Sequence, residues 1–347
     1  MKKNLLIFLM FCTSFLLTFM VTENTVNAAA ATPVNYSITP EPASNQIDKN
    51  ISYYDLKVTP GQKETIKFKI NNDDINNHTY KVLVNRATTD VNGVIDYNLH
   101  NIAPDSDLQD NIEKLATYPQ TVAVDARSSK EVAIDLTAPK SEFTGELLGG
   151  IFVEENDQVA NDSKLPKGVS LKNKYNYVLG LQLQQNTATI KPDLKLVKAF
   201  QAVKSGQVYV DAEMDNDVPT IEKNVTVDAK VTPKDSPKII LKADKAKMSM
   251  APNSDFDYPV DVNSVTGANK NKRLKPGTYT MDLSVKANNN KNSWNLKRNF
   301  TVTSEQNAKL NKTVPNRSKD IWIILGSIAI LIVIAGSVIL IYRKNKR

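Results

Sequence analysis

Apolar and polar residues alternate strictly over most of this chain, and that restricts it to sheets with one wet face. Tyr279, Met281, Leu283, Val285 and Ala287 make the longest row. Ile66, Phe68 and Ile70 make another, as do Val132, Ile134 and Leu136. Val208, Val210, Ala212 and Met214 repeat the pattern, and so do Val225, Val227, Ala229 and Val231. Successive side chains of a strand point to opposite faces, so each row marks a buried face. Turn residues separate the rows at Thr59-Pro60-Gly61, Val91-Asn92-Gly93 and Lys275-Pro276-Gly277. Many short strands of this kind predict an all-β protein of antiparallel Ig-like sandwiches.

Two stretches depart from the alternation in the first half. Asp105 to Thr117 carries Leu108, Ile112 and Leu115 at helical spacing, with Asp105 or Ser106 as a cap. It predicts a short helix inserted into the first sandwich. Asn156 to Asn173 is polar, contains Pro166 and Gly168, and reads as a long loop. Lys191-Pro192-Asp193 breaks the pattern after a strand over Tyr175 to Gln184. The expected division is 29–189 for the first sandwich and 190–304 for the second, followed by a structureless polar stalk over 305–320.

The chain ends carry targeting signals. Ile321 to Tyr342 is an uncharged apolar run followed by Arg343-Lys344-Asn345-Lys346-Arg347. A helix of about 22 residues spans roughly 33 Å, enough for a bilayer core. The basic tail marks its cytoplasmic side. The expectation is a single-pass membrane protein with an extracellular N-terminal region, a transmembrane helix at 321–342 and a tail at 343–347. Lys2, Lys3 and the apolar Leu5 to Val21 read as a signal peptide over 1–28, with cleavage after Ala28. Val314-Pro315-Asn316-Arg317-Ser318 keeps only the proline of a Leu-Pro-x-Thr-Gly sorting signal, so the anchor reads as uncleaved.

Composition removes several chemistries. The only cysteine, Cys12, lies in the signal segment, which excludes disulfides, Cys nucleophiles and Cys-ligated zinc from the secreted part. Of the net charge of +7, Lys2, Lys3 and the four basic tail residues carry six positive charges and Glu23 one negative. The region between keeps +2, too little for a nucleic-acid footprint. His78 and His100 read as solvated loop side chains without a second ligand at metal spacing. Asp211, Glu213, Asp215 and Asp217 alternate along a strand and lack a calcium-loop spacing. No catalytic residue, cofactor or metal site is expected, and the chain reads as a non-enzyme. Tyr53-Tyr54-Asp55 and Tyr175-Asn176-Tyr177 set aromatics beside amides and acids, as sugar-binding surfaces do. A strand's core and rim gives the same pattern, and both readings stay open.

A collinear set of motifs resembles the WxL-interacting proteins of Gram-positive bacteria. It starts with Ile38-Thr39-Pro40-Glu41-Pro42, Asn45-Gln46, Tyr53-Tyr54-Asp55-Leu56-Lys57-Val58 and Pro60-Gly61-Gln62. Ala87-Thr88-Thr89, Gly93, Ile95 and Tyr97 follow, then Phe143-Thr144-Gly145, Leu148-Gly149-Gly150-Ile151 and Asn173-Lys174-Tyr175-Asn176-Tyr177. In the second half come Pro192-Asp193-Leu194, Ala251-Pro252-Asn253-Ser254, Leu274 to Tyr279, and Trp294 with Phe300-Thr301-Val302. The resemblance implies an N-terminal domain that binds peptidoglycan and a second that binds WxL-domain proteins. The expected whole is a membrane-anchored cell-surface scaffold; a host adhesin or a wall-glycan hydrolase is the alternative.

Binding residues follow from that expectation. Tyr97, Tyr118 and Tyr175, in or beside the loops Asp96–Tyr118 and Glu154–Tyr177, are the expected peptidoglycan contacts, because insertions on a rigid sandwich collect binding residues. Tyr209, Asp211 and Glu213, on the wet face of the strand Val208–Asp217, are the expected partner contacts. Trp294-Asn295-Leu296 is itself a Trp-x-Leu tripeptide. Trp294, Leu296, Phe300 and Val302 share parity, so it reads as the last strand, and Arg298, on the same parity, has to reach an edge or find an acceptor.

Overall fold

A computed structural model describes residues 34–104, 108–156, 175–186, 188–262 and 274–313, together with Gly326 and Ile328. The first unit contains β1 (Tyr36–Pro40), β2 (Tyr54–Lys57), β3 (Lys63–Asn72), β4 (His78–Arg86), β5 (Thr88–Thr89) and β6 (Ile95–Asp96). It continues with β7 (Ala116–Thr117), β8 (Thr121–Val124), β9 (Ser128–Thr137), β10 (Leu147–Glu155) and β11 (Asn176–Gln184). One sheet has the order β1-β3-β9-β7 and the facing sheet β2-β11-β10-β4-β8, while β5 and β6 form a separate hairpin. All pairings are antiparallel except β2 with β11.

The second unit contains β12 (Lys195–Lys204), β13 (Gln207–Asn216), β14 (Glu222–Pro233), β15 (Leu241–Met250), β16 (Ser254–Asp261), β17 (Gly277–Ala287) and β18 (Asn292–Val302). Its sheets have the orders β12-β13-β16 and β15-β14-β17-β18. Both units are sandwiches, and the chain crosses from one to the other between Gln184 and Lys195.

The alternation rows form the two cores. Ile66, Phe68, Ile70, Val132, Ile134 and Leu136 are buried in the first, and Val208, Val210, Met214, Val227, Met281, Leu283 and Val285 in the second. β18 closes the second sandwich, and Arg298 Nε donates to the Leu196 carbonyl 3.2 Å away on β12. The hydroxyl of the core residue Tyr36 is also satisfied. Tyr36 hydroxyl donates to the Tyr175 carbonyl at 2.9 Å, while its ring lies 5.0 Å from that of Tyr80.

Three expectations fail here. Of the helix expected over Asp105–Thr117, the described residues 108–117 keep only a 3-10 turn at Ile112–Lys114, and the expected caps Asp105 and Ser106 lie outside the described residues. Asn111 caps it from inside the expected helix, accepting from the Glu113 N–H at 3.0 Å. Beyond it, Ala116–Thr117 pairs with β9, so sheet pairing claims the second half of the segment. The stalk is not structureless over its first part: Ser304–Thr313 is a helix, α1. Thr303 N–H donates to Gln306 Oε1 at 2.9 Å and Gln306 N–H to Thr303 Oγ1 at 3.1 Å, a reciprocal capping box. Leu310 packs on the second core, and Asn307 Nδ2 donates to the Leu274 carbonyl at 2.8 Å. Third, His78 is not a solvated turn residue; it opens β4 half-buried, with Nδ1 3.0 Å from Glu155 and Nε2 3.6 Å from Asp74.

Among the described residues no helix is long and apolar enough to cross a membrane. The expected signal segment, all of the expected Asn156–Asn173 loop but Asn156, the 314–320 part of the stalk and, apart from Gly326 and Ile328, the expected transmembrane run lie outside the described residues.

Candidate functional site

The outer face of the five-stranded sheet carries the most distinctive surface of the first sandwich. Asn85 on β4, Gly150 on β10 and Gly180 on β11 lie side by side in register. Two adjacent glycines leave a shallow floor, and two tyrosines occupy it. A Cβ on Gly150 would come within 2.9 Å of the Tyr97 ring, and one on Gly180 within 3.3 Å of Tyr53 Cβ. Glycine is required at 150 because the aromatic ring approaches the backbone.

Hydrogen bonds hold the segment that carries Tyr97. The buried Asn85 donates through Nδ2 to the Tyr97 carbonyl at 2.6 Å, and its Oδ1 lies 2.7 Å from His100 Nδ1. Arg86 fixes the next stretch by donating to the Ala103 carbonyl at 2.8 Å. Glu113 Oε1 accepts from the Arg86 N–H at 3.2 Å and from the Asn101 N–H at 3.4 Å. This loop is thus laid over the sheet and tied to it.

Tyr53 is 43% exposed and Tyr97 half-buried. Burial, then the neighbouring Tyr53, pushes the Tyr97 phenol up to about 12, so it stays a neutral donor. Burial also raises Tyr53, followed by the charges of Asp55, Asp48 and Glu146. These groups therefore share one neighbourhood. Asp55 accepts from Gln184 Nε2 at 2.8 Å, and Gln182 sits between Asp55 and Leu148 in register. The result is a pair of aromatic faces rimmed by amides and carboxylates. Such a surface can stack on sugar rings and hydrogen-bond to hydroxyls or amides. Among the described residues no cluster of His, Cys, Asp and Glu is arranged to hold a metal.

Of the expected wall contacts only Tyr97 belongs here. Tyr118 packs its ring against the first core, and Tyr175 stands five residues before Gly180 on β11, roughly 17 Å along the strand. Tyr53 stood only within the open sugar-or-core reading of Tyr53-Tyr54-Asp55, and the Gly150/Gly180 floor was not expected as a site. The Tyr-Tyr-Asp and Gly-Gly motifs were the available signal, but only pairing of β2, β10 and β11 brings them together.

The strand of the expected partner contacts is β13, at the centre of its sheet, and Asp211 on its outer face is fully buried where alternation implied a wet position. Phe200 and Pro259 flank it in register, and Lys204 Nζ pairs with it at 2.9 Å. Burial pushes the Asp211 carboxyl up, and Lys204 offsets part of that. Glu213 pairs with Lys198, and Asp217 with Lys195. Tyr209 is half-buried and donates to Gln207 Oε1 at 2.9 Å. The lysines of β12 thus cover much of the face that alternation marks as wet.

A polar joint connects the two sandwiches. The β5–β6 hairpin reaches the second one, where Thr89 N–H donates to Ser254 Oγ at 3.0 Å and the two hydroxyls are 3.0 Å apart. Ala251 N–H donates to Thr89 Oγ1 at 3.0 Å, and Ser249 N–H to the Gly93 carbonyl at 2.8 Å. On the other side Glu146 N–H donates to the Pro219 carbonyl at 2.8 Å, and Ile221 N–H to Glu146 Oε2 at 3.3 Å. Gly145, at φ +87°, brings its backbone so close that a Cβ would sit 2.2 Å from the Pro219 carbonyl oxygen.

Comparison with known proteins agrees with this two-part layout. Residues 36–155 match the WxL Interacting Protein, peptidoglycan binding domain, and residues 166–312 match the WxL Interacting Protein, host binding domain. The second match takes in β11, which hydrogen-bonds within the first sandwich, and runs to the end of α1. No curated protein matches the chain. Solved structures similar to it include the CupB2 chaperone of Pseudomonas aeruginosa, at 10% identity over 69% of this chain and 92% of that one, with a TM-score of 0.26. The E. coli chaperone DraB follows at 13% over 71% and 91%, with 0.24. The PapD-like domain 7 of human CEP192 gives 13% over 46% and 94%, with 0.26. These scores are too low to transfer any function. The two matches lie in the order of the two sandwiches and together span both, and the chain belongs to the WxL-interacting protein family.

Proposed function

We propose that this chain is a non-enzymatic cell-surface scaffold that grips peptidoglycan with its first sandwich and holds a WxL-domain protein with its second. The observation that carries the first half is the Tyr53–Tyr97 pair on the Gly150/Gly180 floor, within the region matched to a peptidoglycan-binding domain. Stacking faces beside Asp55, Gln182 and Asn85 suit the sugar rings and amide groups of that polymer. Tyr118 and Tyr175 lie away from this face and would serve at most a separate contact. The second half rests on the family and on a candidate face of the β12-β13-β16 sheet, where Tyr209 and Glu213 remain the residues of choice. Its partner would meet a mixed surface, with Lys195, Lys198 and Lys204 along one side and Asp255, Asp257 and Asp261 along the other.

The apolar run 321–342 would anchor the scaffold in the membrane with the basic tail inside. Joining two modules on one tether raises the effective concentration of each at its target, so weak single contacts hold. A host ligand for the second sandwich is the alternative, favoured by the host-binding description of its family match. Tyr53→Ala tests the wall contact. The secreted chain should then sediment much less with purified peptidoglycan at unchanged melting temperature. Undiminished sedimentation would place the contact elsewhere.

A further inference from the structure

A second surface lies in the second sandwich, outside the Tyr53–Tyr97 face. Asn292, Ser293 and Trp294 at the start of β18 face Lys191, Pro192 and Asp193 across an open cleft of about 540 Å³. About 300–1,000 Å³ is the usual size of a small-ligand site. The two walls are roughly a hundred residues apart in sequence, and the fold brings them together.

Trp294 has core parity. It pairs in register with the fully buried Val285, and it packs against the second core. Yet it is only half-buried, whereas Phe300 and Val302 on the same row are buried. The strand thus brings an indole to the mouth of the sandwich, where it borders the cleft. Asn292 beside it is held in place: its Oδ1 accepts from Asn288 Nδ2 at 3.1 Å, and Asn288 also donates to the buried Glu222 at 2.8 Å. Residues Asn288, Asn289 and Asn290 all have positive φ, so the turn that carries this amide has a fixed shape.

We propose that this cleft is a subsite for a short neutral saccharide. Trp294 and Pro192 offer a small apolar patch to a sugar ring within a lining that is mostly polar. Asn292, Ser293, Asp193 and Lys191 offer donors and acceptors to its hydroxyls. Lys191 and Asp193 cancel in charge, so an ionic ligand gains no net attraction. A peptide groove would need more apolar wall than one indole and one proline ring.

The test uses the full chain carrying Trp322→Phe, which leaves Trp294 as its only tryptophan. Its emission is titrated with lactose, N-acetyllactosamine, maltotriose and chitotriose. At least one should shift the emission saturably. Asp193→Ala and Asn292→Ala should weaken that response by about tenfold or more, and Tyr53→Ala should leave it unchanged. No response to any of the four overturns the proposal, as does a response that survives both cleft variants. Loss of the response with Tyr53→Ala would assign the sugar to the first sandwich and also overturn it. Saturation by a decaproline peptide and by none of the sugars would show the cleft to be a peptide site. The wall reading is measured separately by peptidoglycan sedimentation, so either can fail alone.

Discussion

Removing the Thr89–Ser254 contact should release the two sandwiches from each other without unfolding either. In the double variant Thr89→Val, Ser254→Ala, the Thr89 N–H loses the Ser254 hydroxyl and the Ala251 N–H loses the Thr89 hydroxyl. Thr89 and Ser254 are both buried, so two backbone donors are left without partners in the docked state. Each orphaned donor costs about 1–3 kcal/mol, or roughly 2–6 kcal/mol for the pair. Undocking lets water reach both groups, so the loss is charged to the joint and cannot exceed the docking free energy. The two sandwiches contain no native cysteine, since the one cysteine of the sequence, Cys12, precedes them. Cysteines placed at the exposed Lys67 and Lys297 can therefore carry spin labels, one per sandwich. Double electron–electron resonance should give one narrow distance distribution for the parent and a broad or second population for the variant. Gly145→Ala, which drives a Cβ against Pro219 on the opposite side of the joint, should have the same effect. An unchanged narrow distribution in both variants would refute the idea that these polar contacts fix the angle.

Other outcomes follow from the same geometry. Burial raises the Glu222 carboxyl above its ordinary 4.5, and the Asn288 amide offsets part of that. The folded state then binds the proton more tightly than the unfolded chain, so this group's stabilisation is full below pH 4.5 and is lost as pH rises through the raised value. Glu222→Gln should accordingly raise the melting temperature at pH 7 more than at pH 4; an equal or opposite change would discount the buried charge. Thr303→Ala removes one half of the capping box and should cost about 1 kcal/mol, read as reduced hydrogen-exchange protection over Ser304–Thr313. Protection equal to the parent's would mean that Leu310 packing and the Asn307–Leu274 hydrogen bond hold α1 without the cap.

The sandwiches were legible because period-two burial is a local property: Ile66 to Ile70 and Met281 to Val285 declare their faces without reference to any partner. Positions fixed by pairing were not. Asp211 has the parity of a wet residue, yet Phe200, Pro259 and Lys204 cover it, and those neighbours follow from strand order. The Asp105–Thr117 helix failed because β9 competes for Ala116 and Thr117. The helix at Ser304 was missed although Thr303-Ser304-Glu305-Gln306 is a capping box, because its polar composition resembled a stalk. Arg298, a cation of core parity, had to reach an edge or find an acceptor, and it does both: it stands exposed on the edge strand β18 and donates to the Leu196 carbonyl. The motifs that carried the family resemblance have physical meanings visible only in three dimensions. Thr89, Gly93, Gly145, Ala251 and Ser254 meet at the joint, while Tyr97 and Gly150 meet on the tyrosine floor.

Bridging is the central claim, and a three-component sedimentation measures it directly. Purified peptidoglycan is mixed with a WxL-domain protein from the same genome, with and without the two-sandwich part of this chain. The account predicts that the chain raises the pelleted WxL protein above what peptidoglycan pellets alone, and that Tyr53→Ala abolishes this increase while leaving the soluble chain–WxL complex intact. A pellet that contains the chain but no additional WxL protein, under conditions where that protein is folded and in excess, would contradict the scaffold.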